Sequence, residues 1–317
     1  MTLPTFPRLV FILLGCLALI AIGQANAQTY PTKPIRIVVP FAPGGGADVI
    51  ARFVAPKLTE SWAQTVVIDN RPGAAGLLGA ALVSKADPDG HTLLLTALGG
   101  VTKQTLDEFM PVVLLAAPPN VLVVHPDVKA NNMRELLAHV RANPGRLNYG
   151  SAGLGSLSHL AGELLNSMAK VEIVHIPYKG MGQVVTELLG NHVQLAIAPL
   201  PAVHGQIKNG KLRALAVTGS SRYAPLPNLP TVAESGVPGY EAINWFGLLA
   251  PARVSPAITM KVNAEVNRII QLGDVKERLQ SVGADPVGGA ASDFASYIRI
   301  DTEKWAKLIK DANIELK

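Results

Sequence analysis

The chain has 317 residues, of which 49% are hydrophobic and 16% charged, and its formal net charge is +5 at pH 7. This length and apolar content allow a core large enough to fold without disulfide bonds. Because the excess of basic residues is small and no block of five or more Lys and Arg residues occurs, nucleic acid is excluded as an expected partner, whereas a mildly positive surface suits small anions.

The first residues have the pattern of a secretory signal peptide. Arg8 precedes an apolar run over residues 9–22, and the small-residue sequence Ala25-Asn26-Ala27 follows. The apolar run is shorter than the roughly 20 residues that a membrane-spanning helix needs. Residues 1–27 are therefore predicted to be a signal peptide, with cleavage after Ala27 and export to the periplasm.

Lipoprotein processing at Cys16 is the alternative to this cleavage. The residues that follow, Leu17–Ile20, continue the apolar run and do not open a polar tether, which favours cleavage after Ala27. That cleavage removes the only cysteine and leaves 290 residues with 27 basic and 23 acidic side chains. The mature protein is then expected to have no disulfide and no thiol for catalysis or metal binding, as suits a bacterial envelope protein.

The residues that follow alternate between short apolar strands and amphipathic helices, the pattern of an α/β protein with parallel sheets. The predicted strands are Ile35–Val39, Val66–Ile68 and His91–Thr96. The predicted helices run from about Asp48 to Leu58, and from the Gly-rich turn Pro72–Gly76 to about Lys85. Together they make one βαβαβ unit.

A second unit with the same order of elements follows later in the chain. Its predicted strands are Leu147–Gly150, Ile173–Ile176 and Val193–Ala198, and its predicted helices are Leu157–Met168 and Met181–Leu189. The fold class is therefore α/β, with two small doubly wound lobes.

Two apolar runs bounded by prolines, Val121–Val124 and Phe246–Ala250, are predicted to cross between the lobes as a two-strand hinge. Helices at about Pro256–Gln271 and Ser292–Ala312 are expected to pack back on the first lobe. The first lobe then comprises residues 28–120 and 249–317, and the second lobe residues 121–248. A ligand is expected in the cleft between them.

One strand-to-helix turn in each half, Pro40–Asp48 and Ser151–His159, places glycines just before a helix. Glycine lets a ligand approach the backbone, and the first N–H groups of a helix lack partners and carry partial positive charge, so such a turn can hold an anion without a cationic side chain. Either turn alone is better explained as a tight connection with Asp48 or Ser156 as an ordinary N-cap. Two turns facing each other across a cleft favour anion binding.

The motifs of other chemistries are absent from the sequence. Val49 stands where a dinucleotide-binding turn needs its third glycine, and no G-K-[ST], G-x-S-x-G or H-E-x-x-H sequence occurs. We therefore expect no catalytic residue, no metal site and no cofactor. His159, in the first helical turn after the Ser/Gly loop, is either a ligand contact or a capping and packing residue.

Two further strand ends supply weaker candidates. Tyr178, followed by Lys179 and Gly180, is placed to line the cleft, although a loop lysine is more often simply solvated. Pro199 ends another strand and is equally consistent with a rigid loop.

Short motifs in a fixed order extend through nearly the whole mature chain: Ile37–Gly45 with Asp48, Asn70–Ala74, Asp87–Gly90, His159–Glu163, Pro177–Gly180, Leu212–Thr218, Leu229–Thr231, Pro238–Tyr240 and Lys304-Trp305. This series resembles the Bug proteins, the substrate-binding receptors of tripartite tricarboxylate transporters. The resemblance implies a type II periplasmic-binding-protein fold whose two lobes close on a small organic carboxylate.

The resemblance also implies the ligand contacts, made through backbone and ordered water. They are expected at Phe41, Ala42, Gly45 and Asp48 in the first lobe and at Ser151, Gly155, Ser156 and His159 in the second. The glycine turn and the two strand ends add Gly44, Tyr178 and Pro199 to the expected set. The expected protein is a monomer that delivers its ligand to membrane permease subunits. A ligand sensor for a signalling partner and an enzyme acting on a small carboxylic acid are the alternatives.

The sequence departs from the family pattern at two places. Between Thr96 and Pro111 the family has a longer stretch, so one wall of the pocket is expected to differ. Gln194 replaces a usual carboxylate, so the ligand is expected to differ as well.

Overall fold

The structure, a computed structural model, describes residues 30–311 and residue 314. The predicted signal peptide, its cleavage after Ala27 and the alternative processing at Cys16 all lie outside these residues.

Ten strands and nine α-helices follow one another in the described part of the chain. The strands are β1 (Ile35–Val39), β2 (Val66–Asn70), β3 (Thr92–Thr96), β4 (Phe109–Ala116), β5 (Asn120–Val124), β6 (Asn148–Ser151), β7 (Val174–Pro177), β8 (Leu195–Pro199), β9 (Arg213–Val217) and β10 (Phe246–Pro251). The helices are α1 (Gly46–Trp62), α2 (Leu77–Ser84), α3 (Met133–Ala142), α4 (Leu157–Ala169), α5 (Met181–Leu189), α6 (Leu200–Lys208), α7 (Pro256–Ile270), α8 (Gly273–Ser281) and α9 (Ala291–Asp311).

Five strands form the first sheet in the order β2-β1-β3-β10-β4. β1 pairs parallel with β2 and β3, and Ile37 lies opposite both Ile68 and Leu93, whereas β10 pairs antiparallel with β3 and β4. Only Arg36 in β1 is not fully buried. A parallel strand covered on both faces reads as a nearly continuous apolar run, and this is why Ile35–Val39 was recognisable in the sequence.

The second sheet repeats this topology with the order β7-β6-β8-β5-β9. β6 pairs parallel with β7 and β8, and β5 pairs antiparallel with β8 and β9. Each lobe is therefore a doubly wound α/β unit with one antiparallel strand inserted next to its last strand, which confirms the predicted fold class.

The chain passes between the sheets twice. It leaves the first sheet at the end of β4 and enters β5 after three residues, and it returns between β9 and β10. The two passages touch, because Pro119 bridges Ile243 and the Asn120 amide donates a 3.3 Å hydrogen bond to the Ala242 carbonyl. The runs Val121–Val124 and Phe246–Ala250 each lie inside one sheet, and the crossing residues immediately precede them.

The C-terminal helix α9 connects the first lobe to the returning passage. It packs along β4 of the first sheet. The indole N–H of Trp245 donates to Asp301 (2.8 Å), and Lys304 pairs with Glu241 (2.8 Å). Trp305 belongs to the same buried apolar cluster as Leu160 of α4, so α9 reaches beyond the first lobe on which it was expected to pack.

Within residues 30–311, no helix combines the length and the apolar character that crossing a bilayer requires. The same residues contain no group of three or more His, Cys, Asp or Glu side chains arranged to hold a metal ion.

Candidate ligand-binding cleft

The first-lobe turn is held from behind by Asp48. Its carboxylate, in a residue only 3% exposed, accepts hydrogen bonds from the Gly44 N–H (3.0 Å) and the Asn70 amide (3.1 Å) and forms a bidentate pair with Arg52 (2.9 and 3.0 Å). Asn70 also donates to the Phe41 carbonyl (3.1 Å). Gly44 has φ +82°, a left-handed conformation that favours glycine. The turn is therefore fixed before any ligand binds.

Burial raises the pKa of Asp48, but hydrogen bonds from Arg52, Gly44 and Asn70 outweigh burial and hold the pKa below its ordinary value. The carboxylate is thus charged at neutral pH, and the paired guanidinium offsets its charge.

Serine hydroxyls shape the second-lobe turn. Ser156 is the N-cap of α4: its hydroxyl donates to the Gly153 carbonyl (2.6 Å) and accepts from the His159 N–H (3.4 Å). The Ser158 hydroxyl accepts from the Ala152 N–H (2.9 Å). Since the His159 N–H is bonded to Ser156, the N–H groups of Leu157 and Ser158 are the donors that the first turn of α4 leaves for a ligand.

The buried His159 and the partly buried His175 support this turn from the side of the sheet. The ring of His159 stacks on that of His175 with 4.1 Å between centroids, and its Nδ1 accepts from the Gly155 N–H (3.1 Å). The Nε2 of His175 lies 2.6 Å from the Ser151 hydroxyl. Burial lowers the pKa of both rings, and that of His175 falls to about 4 with a contribution from the neighbouring His159. Both rings are therefore neutral at pH 7.

A cavity of about 50 Å³ lies between the lobes at the two turns. Its walls are formed by Phe41, Gly45, Gly46, Ala47, Ala97, Leu98, Asn120, Ala152, Ser156, Leu157, Ser158, Met181, Ile197, Pro199, Asn244 and Phe246. None of these sixteen residues has a charged side chain.

Four helices begin at this cavity. Its walls include the first residues of α1 (Gly46) and α4 (Leu157), the first residue of α5 (Met181) and the N-cap of α6 (Pro199). The first N–H groups of α1, α4 and α5 have no partner within the helix, and the dipole places partial positive charge there. At the start of α6 the Leu200 N–H donates to the Pro119 carbonyl (3.0 Å) and Pro201 has no N–H, so α6 contributes mainly its dipole. The arrangement suits a small anion bound without a cationic side chain.

The structure places the predicted contact residues in three groups. Phe41, Gly45, Ser156 and Pro199 line the cavity. Asp48, Ser151 and His159 lie behind the turns, and Gly155 lies at a neighbouring cavity. Ala42 and Gly44 lie at the rim where the lobes meet, and the partly exposed Tyr178 lies beyond the lining residues.

Sequence reasoning did not identify the wall formed by the two passages, to which Asn120, Asn244 and Phe246 belong. The Asn120 amide donates to the Ala242 carbonyl (3.3 Å), and the Asn244 side-chain oxygen accepts from the Trp245 N–H (2.9 Å). Asn244 is only 4% exposed. A single amide directly beside a buried apolar run was the signal available in the sequence.

The lobes touch at the outer rim of the cleft. The Ala42 N–H donates across it to the Lys179 carbonyl (3.2 Å). A methyl group added at Gly182 would overlap the Pro43 carbonyl oxygen, and one added at Gly180 would lie 2.6 Å from the Ala42 nitrogen. The closed contact is therefore backbone against backbone, and it requires glycine on the second lobe.

The two departures from the family pattern have different outcomes. Ala97 and Leu98, in the shortened segment, line the cavity. Gln194 accepts from the Asn148 N–H (3.0 Å) and donates to the Asn191 carbonyl (2.9 Å), at the opposite ends of β6 and β8 from the turns. Its amide therefore stabilises the sheet at a distance from the cleft.

Two doubly wound lobes joined by two passages and closing over a cleft define the class of two-lobed periplasmic binding proteins. The family model described as tripartite tricarboxylate transporter family receptor matches residues 50–314, and the chain belongs to that family.

Individual relatives are similar to this chain along nearly their whole length. BugT of Bordetella pertussis is 36% identical over 306 residues, with 93% of this chain and 94% of BugT covered. The structure of Rhodopseudomonas palustris Rpa4515 with adipate is 35% identical with a TM-score of 0.85, covering 90% of this chain and 98% of that one. MatC of the same organism, with bound malate, is 30% identical with a TM-score of 0.83, covering 88% and 100%.

Proposed function

We propose that the mature protein is a monomeric periplasmic receptor that captures a small organic carboxylate and delivers it to the membrane permease subunits of a tripartite tricarboxylate-type transporter. The observation that carries the proposal is the convergence of four helix N-termini on a cleft that no charged side chain lines. Such a cleft neutralises one carboxylate by backbone dipoles and hydrogen bonds alone. Relatives with bound adipate and malate support the ligand class.

The proposed cycle follows from the contacts at the rim. An open form admits the acid, the first-lobe turn and the α4 turn both bind its carboxylate, and the Ala42–Lys179 hydrogen bond forms as the lobes close. Ligand affinity then includes the free energy of closure, so the closed form is the one presented to the permease. Export through the signal peptide at residues 1–27 would place the receptor in the periplasm, where this cycle operates.

Binding without turnover is part of the proposal. The Ser151 hydroxyl and His175 lie 2.6 Å apart, as a nucleophile and a base would. Ser151 is fully buried, however, and its oxygen also accepts from the Gly153 N–H (3.1 Å). The pair lies behind the turn and does not line the cavity, so it has no access to a bound acid.

Calorimetric titration of residues 28–317 with malate, succinate, adipate and benzoate tests the proposal, and at least one acid is expected to bind and to be recovered unchanged. The diagnostic variant is Gly46→Ala, because its methyl group would lie 2.6 Å from the Phe246 ring and 3.2 Å from Pro199 in the cavity wall. Gly205→Ala, which meets nothing within 4 Å, is the control. Binding of none of these acids, or unchanged binding by Gly46→Ala, would contradict the proposal.

A transport assay distinguishes a receptor that serves a transporter from a ligand sensor that serves a signalling partner. Vesicles that contain the permease subunits are expected to accumulate the bound acid only when the receptor is added. Uptake that is independent of the receptor would favour a signalling role.

A further inference from the structure

A second cavity, of about 310 Å³, lies beside the first. Its walls come from the first lobe, the second-lobe turn and α9, and they comprise Ala75, Leu77, Leu98, Gly99, Val101, Thr102, Lys103, Gln104, Leu154, Gly155, Leu160, Thr302, Trp305, Ala306 and Ile309. Because both lobes contribute, this cavity is complete only when they are closed.

The two cavities share a thin partition. Leu98 lines both of them, and Ser156 lines the first while its neighbour Gly155 lines the second. A methyl group added at Gly99 would lie 3.2 Å from the Ser156 Cα, so the backbones of the two lobes meet beside Leu98. Leu98 is the side chain in this partition, and a change of its rotamer alters the partition without a shift of the backbone.

The first cavity accommodates little more than a carboxylate. A volume of about 50 Å³ corresponds to roughly four water-sized groups, which is the number of heavy atoms in acetate. A longer acid extends beyond this volume, and the second cavity is an adjoining space with room for its remaining atoms.

The walls of the second cavity are mainly apolar. Leu77, Leu160 and Trp305 contribute large hydrophobic surfaces, and none of the described residues that line the cavity is acidic. The exposed Lys103 contributes the only charge among these wall residues. An alkyl chain or a ring gains free energy on entering such a space, whereas a strongly hydrated group does not.

We infer that the second cavity binds the apolar body of an elongated carboxylic acid whose carboxylate lies in the first cavity. The inference rests on the proposed function, since it extends the same ligand past Leu98. It predicts that this receptor selects acids by the length and apolar character of the body, and that closure of the lobes encloses both ends of the ligand.

A chain-length series tests the inference with acetate, butyrate, hexanoate and octanoate titrated into the mature protein. Affinity is expected to rise by about fourfold for each methylene group beyond acetate, the factor expected for burying apolar surface. Ala306→Trp fills the second cavity from α9, where the residue is partly exposed, and is expected to abolish this increase while acetate binds as before. The control is Ala295→Trp, a partly exposed position on the same helix away from the cavity.

Each outcome decides one question. An affinity that stays flat from acetate to octanoate would overturn the inference and leave the carboxylate receptor standing, and so would an increase that Ala306→Trp does not change. Failure of every acid, including malate and adipate, to bind would overturn the proposed function itself. Should Ala306→Trp fail to fold by circular dichroism, Gln104→Trp fills the same cavity from an exposed residue outside both turns.

Discussion

The carboxylate of Asp48 accepts hydrogen bonds from a backbone N–H, an amide and a guanidinium within the first lobe. An unpaired negative charge this close to the cleft would repel a bound acid. The bidentate pair with Arg52 neutralises it, so the carboxylate can order the turn without opposing the ligand.

Replacing this carboxylate by an amide tests its role. Asp48→Asn keeps the shape of the side chain but loses the charge-assisted bonds, and we expect the free energy of unfolding to fall by about 1.5–3 kcal/mol in urea denaturation. Asp274→Asn is the control, because Asp274 forms an exposed ion pair with Lys57 and such pairs contribute little. Equal stability of Asp48→Asn and the unmodified protein would show that the turn does not depend on the carboxylate.

Gly182 lies where any side chain would collide with the Pro43 carbonyl oxygen of the opposite lobe. Gly182→Ala is therefore expected to weaken ligand binding by more than about tenfold, a loss of about 1.4 kcal/mol or more, because the closed contact cannot form. The melting temperature without ligand is expected to stay the same or rise, since alanine favours a helix over glycine.

Calorimetry and thermal melts of Gly182→Ala and Gly205→Ala measure these two effects separately. Gly205 lies in α6, and a methyl group added there would have no heavy atom within 4 Å, so its substitution should leave binding intact. Equal affinities of the two variants would remove Gly182 from the closure mechanism.

At the scale of elements, the stacked rings of His159 and His175 connect β7 to the turn before α4. Burial lowers the pKa of His175 to about 4, whereas a histidine in an unfolded chain has a pKa of about 6.5. Between these pH values the unfolded state binds a proton that the folded state does not. The stabilising contribution is therefore complete above about pH 6.5 and is lost as the pH falls towards 4.

Urea unfolding at pH 7, 5.5 and 4.5 should show this decline, and His175→Gln should reduce its slope. His192, an exposed residue paired with Glu187, provides the control substitution His192→Gln. A decline that is as steep in His175→Gln as in the unmodified protein would assign the acid sensitivity to other groups.

Elements whose signals are local could be predicted from the sequence. β1 has the predicted bounds because its apolar run reflects burial on both faces. α1 begins earlier and ends later than predicted: Gly46 is its first residue, and it ends before Ala63, which has φ +51° without the glycine or asparagine that usually marks such an end. α6 was not predicted, since Pro199 was interpreted either as a cleft residue or as part of a rigid loop. It is the N-cap of α6, and Pro201 follows at the start of the helix, where proline is compatible with a helix.

The candidate site likewise has one part that the sequence predicts and one part that it does not. Both turns could be found because their glycines and capping serines are neighbours in the sequence. The wall containing Asn120 and Asn244 could not, because it forms only where the two passages meet, and Asn120 reaches a carbonyl 122 residues away. Contacts between such distant segments leave no periodic pattern in either one.

At the scale of the whole molecule, the cleft is closed by a hydrogen bond that joins the lobes, from the Ala42 N–H to the Lys179 carbonyl. Proton exchange of the Ala42 amide, followed by NMR, is expected to slow when a ligand is added, because closure protects the N–H from water. The Arg71 amide, which bonds to Val39 within the first lobe (2.9 Å), should be unaffected. Slow exchange at Ala42 without ligand would show that the lobes are already closed in the free protein.

The cavity walls described above combine main-chain donors with uncharged side chains, and these two parts are free to evolve at different rates. If the turns hold the carboxylate as proposed, a sequence that preserves them keeps that ability when the surrounding side chains change. Mutations at wall positions such as Leu98 or Ala306 can then alter which acid is accepted without first destroying recognition of the acid group. A duplicated gene for such a receptor would still encode the turns that bind the carboxylate. Selection for a new ligand would then act on the side chains that surround the rest of the acid.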